Sequence, residues 1–160
     1  MEEDVMQNLF GQFNDIVHAL QATPVRYAVV GGVATTIYGG VRTTRDIDFL
    51  VHPDDVKEMI RVLVRLGYHA NPQSIEFRDS GLAVRRLWKA VPDNEDILML
   101  DLLLAQQTKH RRMLRYAKLK KWGPSNIRVV RPADLITMKR ARNSATDRVD
   151  IEALKRAIEK

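Results

Sequence analysis

Residues Gly31–Val51 read GGVATTIYGGVRTTRDIDFLV and contain the pattern that decides the fold. The last part of this stretch, from Asp46 to Val51, alternates and then becomes apolar, which predicts a β-strand. Side chains two residues apart on a strand project from the same face, so Asp46 and Asp48 lie together, roughly 7 Å apart. Two carboxylates so placed repel each other unless a cation lies between them, and hard oxygen ligands suit Mg²⁺. The pair is therefore a candidate metal site.

The first part of the same stretch predicts a phosphate site. Tyr27–Val30 read as a short apolar strand that ends at Gly31 and Gly32, and helical spacing follows. Glycine lets the backbone approach a ligand closely, and the N–H groups at a helix start attract phosphate. Arg42 and Thr44, which follow, are expected beside the phosphates. Taken separately, the glycine pair reads as a plain turn and Asp-Ile-Asp as a solvated strand edge, but their combination favours chemistry.

A third carboxylate interrupts a later apolar run. Ile97–Leu104 predicts a buried strand whose single charge is Asp101. An unpaired charge in such a strand is costly, and a metal shared with Asp46 and Asp48 would compensate it. In the alternative interpretation, Asp101 marks the solvent end of the strand or pairs with an arginine. Asp96, in a turn-like stretch, is the reserve candidate.

The order of these motifs resembles the signature of the DNA polymerase β-like nucleotidyltransferase superfamily. That signature is a Gly-Gly or Gly-Ser pair followed by Asp-x-Asp on a strand, with a third acidic residue on a later strand. The resemblance implies an α/β (α+β) nucleotidyltransferase fold. Its expected architecture is a mixed β-sheet with helices packed against it and a helical C-terminus.

Composition limits the remaining possibilities. The chain has 160 residues, 45% of them hydrophobic, which is enough for one core and too few for two ordinary domains. We expect a single domain over 1–160, with an N-terminal helix in 1–22, a catalytic core in 25–105 and a C-terminal helical region in 106–160. Cysteine is absent, and no apolar run approaches the roughly 20 residues of a membrane span. A cytoplasmic protein without membrane contact is therefore expected.

The positive charge is concentrated in one segment. The net charge is +6, yet residues 109–121 contain seven basic residues and no acid, so the rest of the chain is close to neutral. The seven are Lys109, Arg111, Arg112, Arg115, Lys118, Lys120 and Lys121. We interpret the segment as a basic helix that could contact nucleic acid, with Tyr116 and Trp122 available for stacking. A solvated helix face is the equally weighted alternative.

The C-terminal segment carries a second pattern. Pro132 opens a helix that reaches Lys139, and a final helix begins near Asp147. Asp147 and Asp150 are expected to share a face opposite much of the apolar stripe of Ile151, Leu154 and Ile158. Physical chemistry alone would interpret both acids as complements of the helix dipole.

This C-terminal pattern resembles a particular group of nucleotidyltransferases. Pro-x-Asp-Leu-Ile-x-x-Lys followed by Arg-Asn-Ser-Ala-Thr-Asp-Arg-Val-Asp-Ile is similar to the C-terminal region of AbiEii/MenT-like enzymes of toxin–antitoxin systems. The resemblance covers roughly residues 25–155. It implies that Gly31 and Gly32 line the nucleotide phosphates. It also implies that Asp46 and Asp48 bind metal and that Asp101 completes the acidic set and acts as the base. Lys139 and Asp147 would complete the active site.

Together these patterns predict a metal-dependent nucleotidyltransferase. It would move a nucleoside monophosphate from a nucleoside triphosphate such as ATP to an acceptor hydroxyl, with Mg²⁺ or alternatively Mn²⁺ bound. Arg42 and Lys139 would position the phosphates. The acceptor is either the 3′ end of tRNA or a side chain of a protein, and a cognate antitoxin or toxin is the expected partner. The alternative is an inactive binding module that kept the fold, such as an antitoxin or a nucleic-acid-binding subunit.

Overall fold

The protein is built around one mixed seven-stranded sheet. The structure is a computed structural model, and it describes residues 2–40, 44–77, 82–91, 96–142 and 145–159. The strands are β1 (Tyr27–Val30), β2 (Asp46–Val51), β3 (His69–Phe77), β4 (Ala83–Ala90), β5 (Ile97–Leu104), β6 (Lys118–Trp122) and β7 (Ser125–Val129). Their order across the sheet is β3-β4-β5-β2-β1-β7-β6. Strands β2 and β5 are parallel, as are β1 and β7, and the other neighbours are antiparallel.

Helices complete the fold on the faces of this sheet. They are α1 (Glu2–Leu20), α2 (Gly31–Ile37), α3 (Val56–Arg65), α4 (Thr108–Arg115), α5 (Pro132–Arg142) and α6 (Ala145–Glu159), and a 3₁₀ turn (Pro53–Asp55) precedes α3. Helix α1 contacts α3, β2 and β7, whereas α5 and α6 pack on each other and α6 contacts α2. The predicted architecture of a mixed sheet with packed helices and a helical C-terminus is confirmed.

Alternation along β2 divides the core from the candidate site. Ile47, Phe49 and Val51 are fully buried, and the ring of Phe49 stacks on Phe13 of α1 at 6.1 Å. Because side chains alternate along a strand, Asp46 and Asp48 lie on the opposite face. One face of the central strand thus carries the core, and the other carries the carboxylates.

The strand expected at 97–104 is β5 with the same bounds. In α1, the side chains of Leu9, Phe13 and Ile16 are buried. His52, directly after β2, caps the 3₁₀ turn, because its Nδ1 accepts a hydrogen bond from the backbone N–H of Asp54. Among the described residues, no helix combines the length and the apolar character needed to cross a bilayer.

The predicted basic helix over 109–121 is wrong in its second half. Helix α4 ends at Arg115, and β6 and β7 form a hairpin in which Trp122 pairs with Ser125. The two-residue loop begins with Gly123 at a φ of +58°, as a type II′ hairpin turn requires. Pairing with β7 therefore decided the conformation of the lysine-rich segment. The division of the chain into the three regions named above stays a prediction.

Candidate active site

The strand register brings the predicted carboxylates together. Asp48 of β2 pairs with Asp101 of the parallel neighbour β5, and Asp46 pairs with Met99. Register partners on neighbouring strands are about 4.8 Å apart between their backbones and project from the same face. Asp46, Asp48 and Asp101 therefore share one face of the sheet. The shared face agrees with the sequence pattern, and the role of the three carboxylates in metal binding stays a prediction.

An arginine that the sequence analysis missed holds Asp101. Arg86 of β4 is the register partner of Asp101 on the other side. Its Nε donates to Oδ1 at 2.9 Å and its Nη2 donates to Oδ2 at 3.2 Å, which makes a bidentate pair. Asp101 is 3% exposed, whereas 42% of the Arg86 side chain is exposed. The alternative interpretation of Asp101, pairing with an arginine, is thus realised together with its position beside Asp48.

Gly31 fits the backbone tightly against the acidic pair. Its φ is +71°, a left-handed conformation that side chains disfavour. A Cβ placed on Gly31 would lie 2.9 Å from Cγ and 3.0 Å from Cβ of Asp48. No side chain fits there without displacing the aspartate. The turn between β1 and α2 therefore requires glycine because its backbone passes directly over Asp48.

A cleft opens on this side of the sheet. It has a volume of about 420 Å³, within the range of small-molecule binding sites. It is lined by Val30, Gly31, Asp48, Leu82, Leu103, Lys109, His110, Met113, Leu135, Thr137, Met138, Lys139 and Ala141. The glycine turn, one aspartate of the acidic pair and the predicted lysine thus border the same space.

Lys139 reaches the cleft from a buried ion pair. Its Nζ lies 2.9 Å from Oδ2 of Asp150, and the two residues are 5% and 2% exposed. Asp147 is also buried, as are Ile151 and Leu154 of the apolar stripe, and of the stripe residues only Ile158 is exposed. The expectation that the acids lie opposite the apolar stripe is therefore wrong, since this face of α6 is turned into the protein. The buried partner of Lys139 is Asp150, and the predicted role of Asp147 in the active site stays a prediction.

The carboxylates suit a divalent metal, with one constraint. Oxygen ligands two residues apart on β2, with Asp101 beside them, form a donor set appropriate to Mg²⁺. Within the described part of the chain, however, no three acidic, histidine or cysteine residues stand close enough to enclose an ion. Both oxygens of Asp101 accept hydrogen bonds from Arg86. Asp101 would have to share or exchange this contact to bind a metal.

The remaining predicted nucleotide-binding residues have mixed positions. The backbone of Gly32 continues α2, and Thr36 donates its hydroxyl hydrogen bond to the Gly32 carbonyl. Thr44 is buried, and its hydroxyl donates to the carbonyl of Asp46 at 3.2 Å. Arg42 lies outside the described residues. Asp96, the reserve acid, is exposed before the start of β5 and five positions from Asp101.

His110 is a further cleft residue that the sequence did not reveal. It is 5% exposed, and its Nδ1 is buried without a hydrogen-bond partner among the described residues. Burial lowers the pKa of this imidazole, and the charge of Lys109 lowers it further. A histidine within an arginine-rich helix gives no sequence signal of burial. The spacing to Met113 and Leu114, which are also buried, is the one available hint.

The seven predicted nucleic-acid contacts are divided among three places. Lys109 lines the cleft, and Arg111, Arg112 and Arg115 lie on another face of α4. The three lysines, Lys118, Lys120 and Lys121, lie on the edge strand β6, where Lys120 stands 4.7 Å over the ring of Tyr38. Trp122 is partly buried, because it packs on Phe10 and Phe13 and donates to Oδ1 of Asn14.

Comparison with solved structures identifies the fold. The lincosamide antibiotic adenylyltransferase LnuA, solved with lincomycin bound, superposes with a TM-score of 0.60 at 17% identity, over 91% of this chain and 95% of that one. The enzyme ANT(2″)-Ia, in complex with adenylyl-2″-tobramycin, gives 0.62 at 15% identity, over 96% and 90%. JHP933 from Helicobacter pylori gives 0.59 at 18% identity, over 93% of this chain and 65% of that one.

These likenesses confirm the predicted nucleotidyltransferase fold. No protein-family model matches the chain, and no curated protein matches it in sequence. The resemblance to AbiEii/MenT-like enzymes therefore stays a prediction.

Proposed function

We propose that this protein transfers a nucleoside monophosphate from a nucleoside triphosphate to an acceptor hydroxyl. One observation carries the proposal. Asp48 and Asp101 are register partners on parallel strands, and Asp48 lies under a glycine turn that admits no side chain. Lys139 borders the same cleft. Carboxylates, a close backbone and a cation are the groups that position a metal-bound triphosphate.

Each residue has a distinct proposed role. Asp46 and Asp48 would hold Mg²⁺, with Mn²⁺ as the alternative ion. When bound, such an ion neutralises negative charge on the triphosphate. The backbone at Gly31 and Gly32 approaches the phosphates, and Lys139, Arg42 and Thr44 are proposed to position them. Asp147, buried near the start of α6, is proposed to support this side of the site.

Asp101 is the proposed base. It accepts the proton of the acceptor hydroxyl, whose oxygen forms a bond to the α-phosphorus as the bond to the bridging oxygen breaks and pyrophosphate leaves. This role requires that Arg86 release one oxygen of the carboxylate. Because Arg86 is partly exposed, its side chain has room to move toward solvent or toward a phosphate. In the second position it would add positive charge where the leaving group develops its negative charge.

The acceptor is proposed to be either the 3′ end of tRNA or a protein side chain, in a toxin–antitoxin setting. The two acceptors are distinguished by incubating the protein with each α-labelled nucleoside triphosphate, Mg²⁺, total RNA and total cell protein. Label on RNA supports the first, and label on protein alone removes it. Asp46→Asn and Asp48→Asn should each abolish transfer and leave the fold intact, whereas Asp54→Asn, an exposed acid beyond the end of β2, should not.

The alternative of an inactive binding module makes a different prediction. Such a module would bind a nucleotide without transferring label to any acceptor. Titration with a fluorescent nucleotide analogue, with and without Mg²⁺, separates the two cases. Mg²⁺-dependent binding that Asp48→Asn removes, accompanied by label transfer, supports the enzyme. Nucleotide binding supports the module if none of the labelled nucleoside triphosphates gives transfer of label to RNA or to protein.

A further inference from the structure

A second groove lies on the other side of α4 from the cleft. Its lining includes residues from the loop before β1, from the end of β2 and from α4. Six basic side chains border it: Arg26, His52, Arg111, Arg112, Arg115 and Arg128. No acidic residue is among the described residues that line it. We call this feature the arginine groove.

Most of the positive charge in the arginine groove is uncompensated. Arg26 is neutralised by Asp55, at 2.8 Å. Arg111, Arg112 and Arg115 are exposed, and none of them forms an ion pair with a carboxylate in the described part of the chain. Arg128 is fixed differently, because its Nη2 donates to the carbonyls of Leu114 and Arg115 at the end of α4. Three exposed guanidinium groups thus border the same groove as one that is held by hydrogen bonds.

Helix α4 separates the groove from the candidate active site. Lys109, His110 and Met113 face the cleft, whereas Arg111, Arg112 and Arg115 face the groove. An α-helix with its side chains is about 10–12 Å across. A chain-like ligand held in the groove therefore needs to span only about one helix diameter to place its end in the cleft.

The character of the groove favours one class of ligand. The cores of protein interfaces are depleted of charge and enriched in aromatic side chains. The large hydrophobic side chains exposed on the described surface all lie elsewhere, among them Trp88, Ile97 and Leu119. Guanidinium groups recognise phosphate oxygens through paired hydrogen bonds. Charge complementarity therefore points to phosphate and not to an apolar protein partner.

We propose that the arginine groove binds the phosphodiester backbone of a nucleic acid and thereby holds the acceptor whose end enters the cleft. The second half of this statement rests on the proposed function. The first half does not, because binding in the groove requires neither metal nor transfer. The inference assigns recognition to Arg111, Arg112 and Arg115, and it leaves the lysines of β6 outside the site.

The test measures binding separately from catalysis. A fluorescent 20-nucleotide RNA and a DNA of the same sequence are titrated with the full-length protein at several salt concentrations. The triple variant Arg111→Gln, Arg112→Gln, Arg115→Gln should bind at least about 10-fold more weakly. Its slope of log K against log salt should be shallower by about 2, since each lost phosphate contact on a single strand removes about 0.7.

A matched variant controls for net charge. The triple variant Lys57→Gln, Arg61→Gln, Arg65→Gln also removes three positive charges, but from the exposed face of α3. It should bind the RNA and the DNA with nearly wild-type affinity. Asp46→Asn with Asp48→Asn should retain binding to the groove. If label transfer fails while the groove variant still loses affinity, the proposed function falls and the groove stands. A preference for RNA or for DNA in the two titrations identifies the source of the phosphodiester.

Three results would overturn the proposal. The groove variant, shown by circular dichroism to be folded, could bind the nucleic acid with the affinity and salt slope of the wild type. The α3 variant could lose as much affinity as the groove variant, which would reduce the effect to net charge. Polyglutamate could compete as well as unlabelled RNA at equal charge concentration, which would indicate an acidic protein partner.

Discussion

The two walls of the cleft hold their charges in different ways. On the sheet wall, the cleft residue Asp48 pairs in register with Asp101, which is buried although its partner Arg86 is partly exposed. On the helix wall, Lys139 and Asp150 are both buried, and the pair joins α5 to α6. The Arg86 guanidinium can move into water, but the buried Asp101 carboxylate then needs a replacement cation. Neither member of the helix pair can separate without leaving an uncompensated charge inside the protein.

This difference indicates what each wall contributes. The helix wall fixes the position of Lys139, so Asp150 acts as a structural support for a residue that borders the cleft. The sheet wall can rearrange, because Arg86 can exchange its contact with Asp101 for a contact with a ligand. One wall therefore provides a fixed cation, and the other provides carboxylates whose counter-charge can be replaced. Four variants test the comparison.

The largest expected effect is on the helix wall. Asp150→Asn leaves the Lys139 ammonium buried without its counter-charge, and breaking such a pair costs about 3–5 kcal/mol. Urea unfolding followed by circular dichroism measures the change in the free energy of unfolding. Glu152→Gln, which alters an exposed acid on the same helix, should change stability by less than about 0.5 kcal/mol. A loss below about 1 kcal/mol for Asp150→Asn would show that the helix wall is not fixed by this pair.

Gly31→Ala should have the second largest effect. The left-handed conformation alone costs a non-glycine residue about 1–2 kcal/mol, and the new Cβ also collides with Asp48. Gly39→Ala is the matched control, because Gly39 has a φ of +98° and no neighbouring atom within 4 Å. Thermal and urea unfolding should show a larger loss for Gly31→Ala, together with loss of label transfer. Equal losses in the two variants would mean that contact with Asp48 is not what requires the glycine.

Arg86→Gln should cost less than Asp150→Asn, because Arg86 is partly exposed and glutamine can still donate to Asp101. We expect a loss of about 1–2 kcal/mol. The variant should also gain more stability from added Mg²⁺ than the wild type does, since the ion no longer competes with a guanidinium. Arg85→Gln, the preceding residue on β4, supplies the control. An equal Mg²⁺ response in the wild type and in Arg86→Gln would contradict an exchangeable sheet wall.

The smallest expected effect concerns pH and the histidine of α4. The pKa of His110 lies below its ordinary value of 6.5 because the imidazole is buried. As the pH falls through 6.5, the unfolded chain takes up the proton first, so stability declines until the lower folded-state pKa is passed. His110→Gln should lose less Tm than the wild type between pH 7 and pH 5, and the exposed His18→Gln should follow the wild type. If Tm fell equally with pH in the wild type and in both variants, the burial of His110 would not contribute to the pH dependence of stability.

The sequence predicted side-chain positions correctly where the two-residue period of a strand alone determines the face on which a side chain lies. Asp46 and Asp48 lie two apart on a strand and share a face, and the apolar run of β5 placed Asp101 on a buried strand. Arg86 could not be assigned to Asp101, since the pairing of β4 with β5 depends on register across the sheet. Asp150 was missed for a similar reason, because the face that α6 presents to α5 depends on how the helices pack.

In the lysine-rich segment Lys118–Trp122, the sequence pattern did not determine the secondary structure. Its sequence Lys-Leu-Lys-Lys-Trp fits a helix or an edge strand, and only the partner strand β7 decides between them. The signal that could have identified the hairpin is the Gly-Pro pair after Trp122, since glycine at the first loop position is typical of two-residue turns. Local propensity therefore gave way to pairing between strands.

The pairing of β1 with β7 has a consequence for synthesis on the ribosome. Val29 pairs with Val129, 100 positions further along the chain. Contacts so distant in sequence slow folding, because the intervening chain must be ordered before they form. The strand that leads into the glycine turn gains its second neighbour only after most of the polypeptide has emerged. We therefore expect a nascent chain to complete the cleft late in translation, and shorter intermediates to expose the unpaired edge of β1 to chaperones or to aggregation.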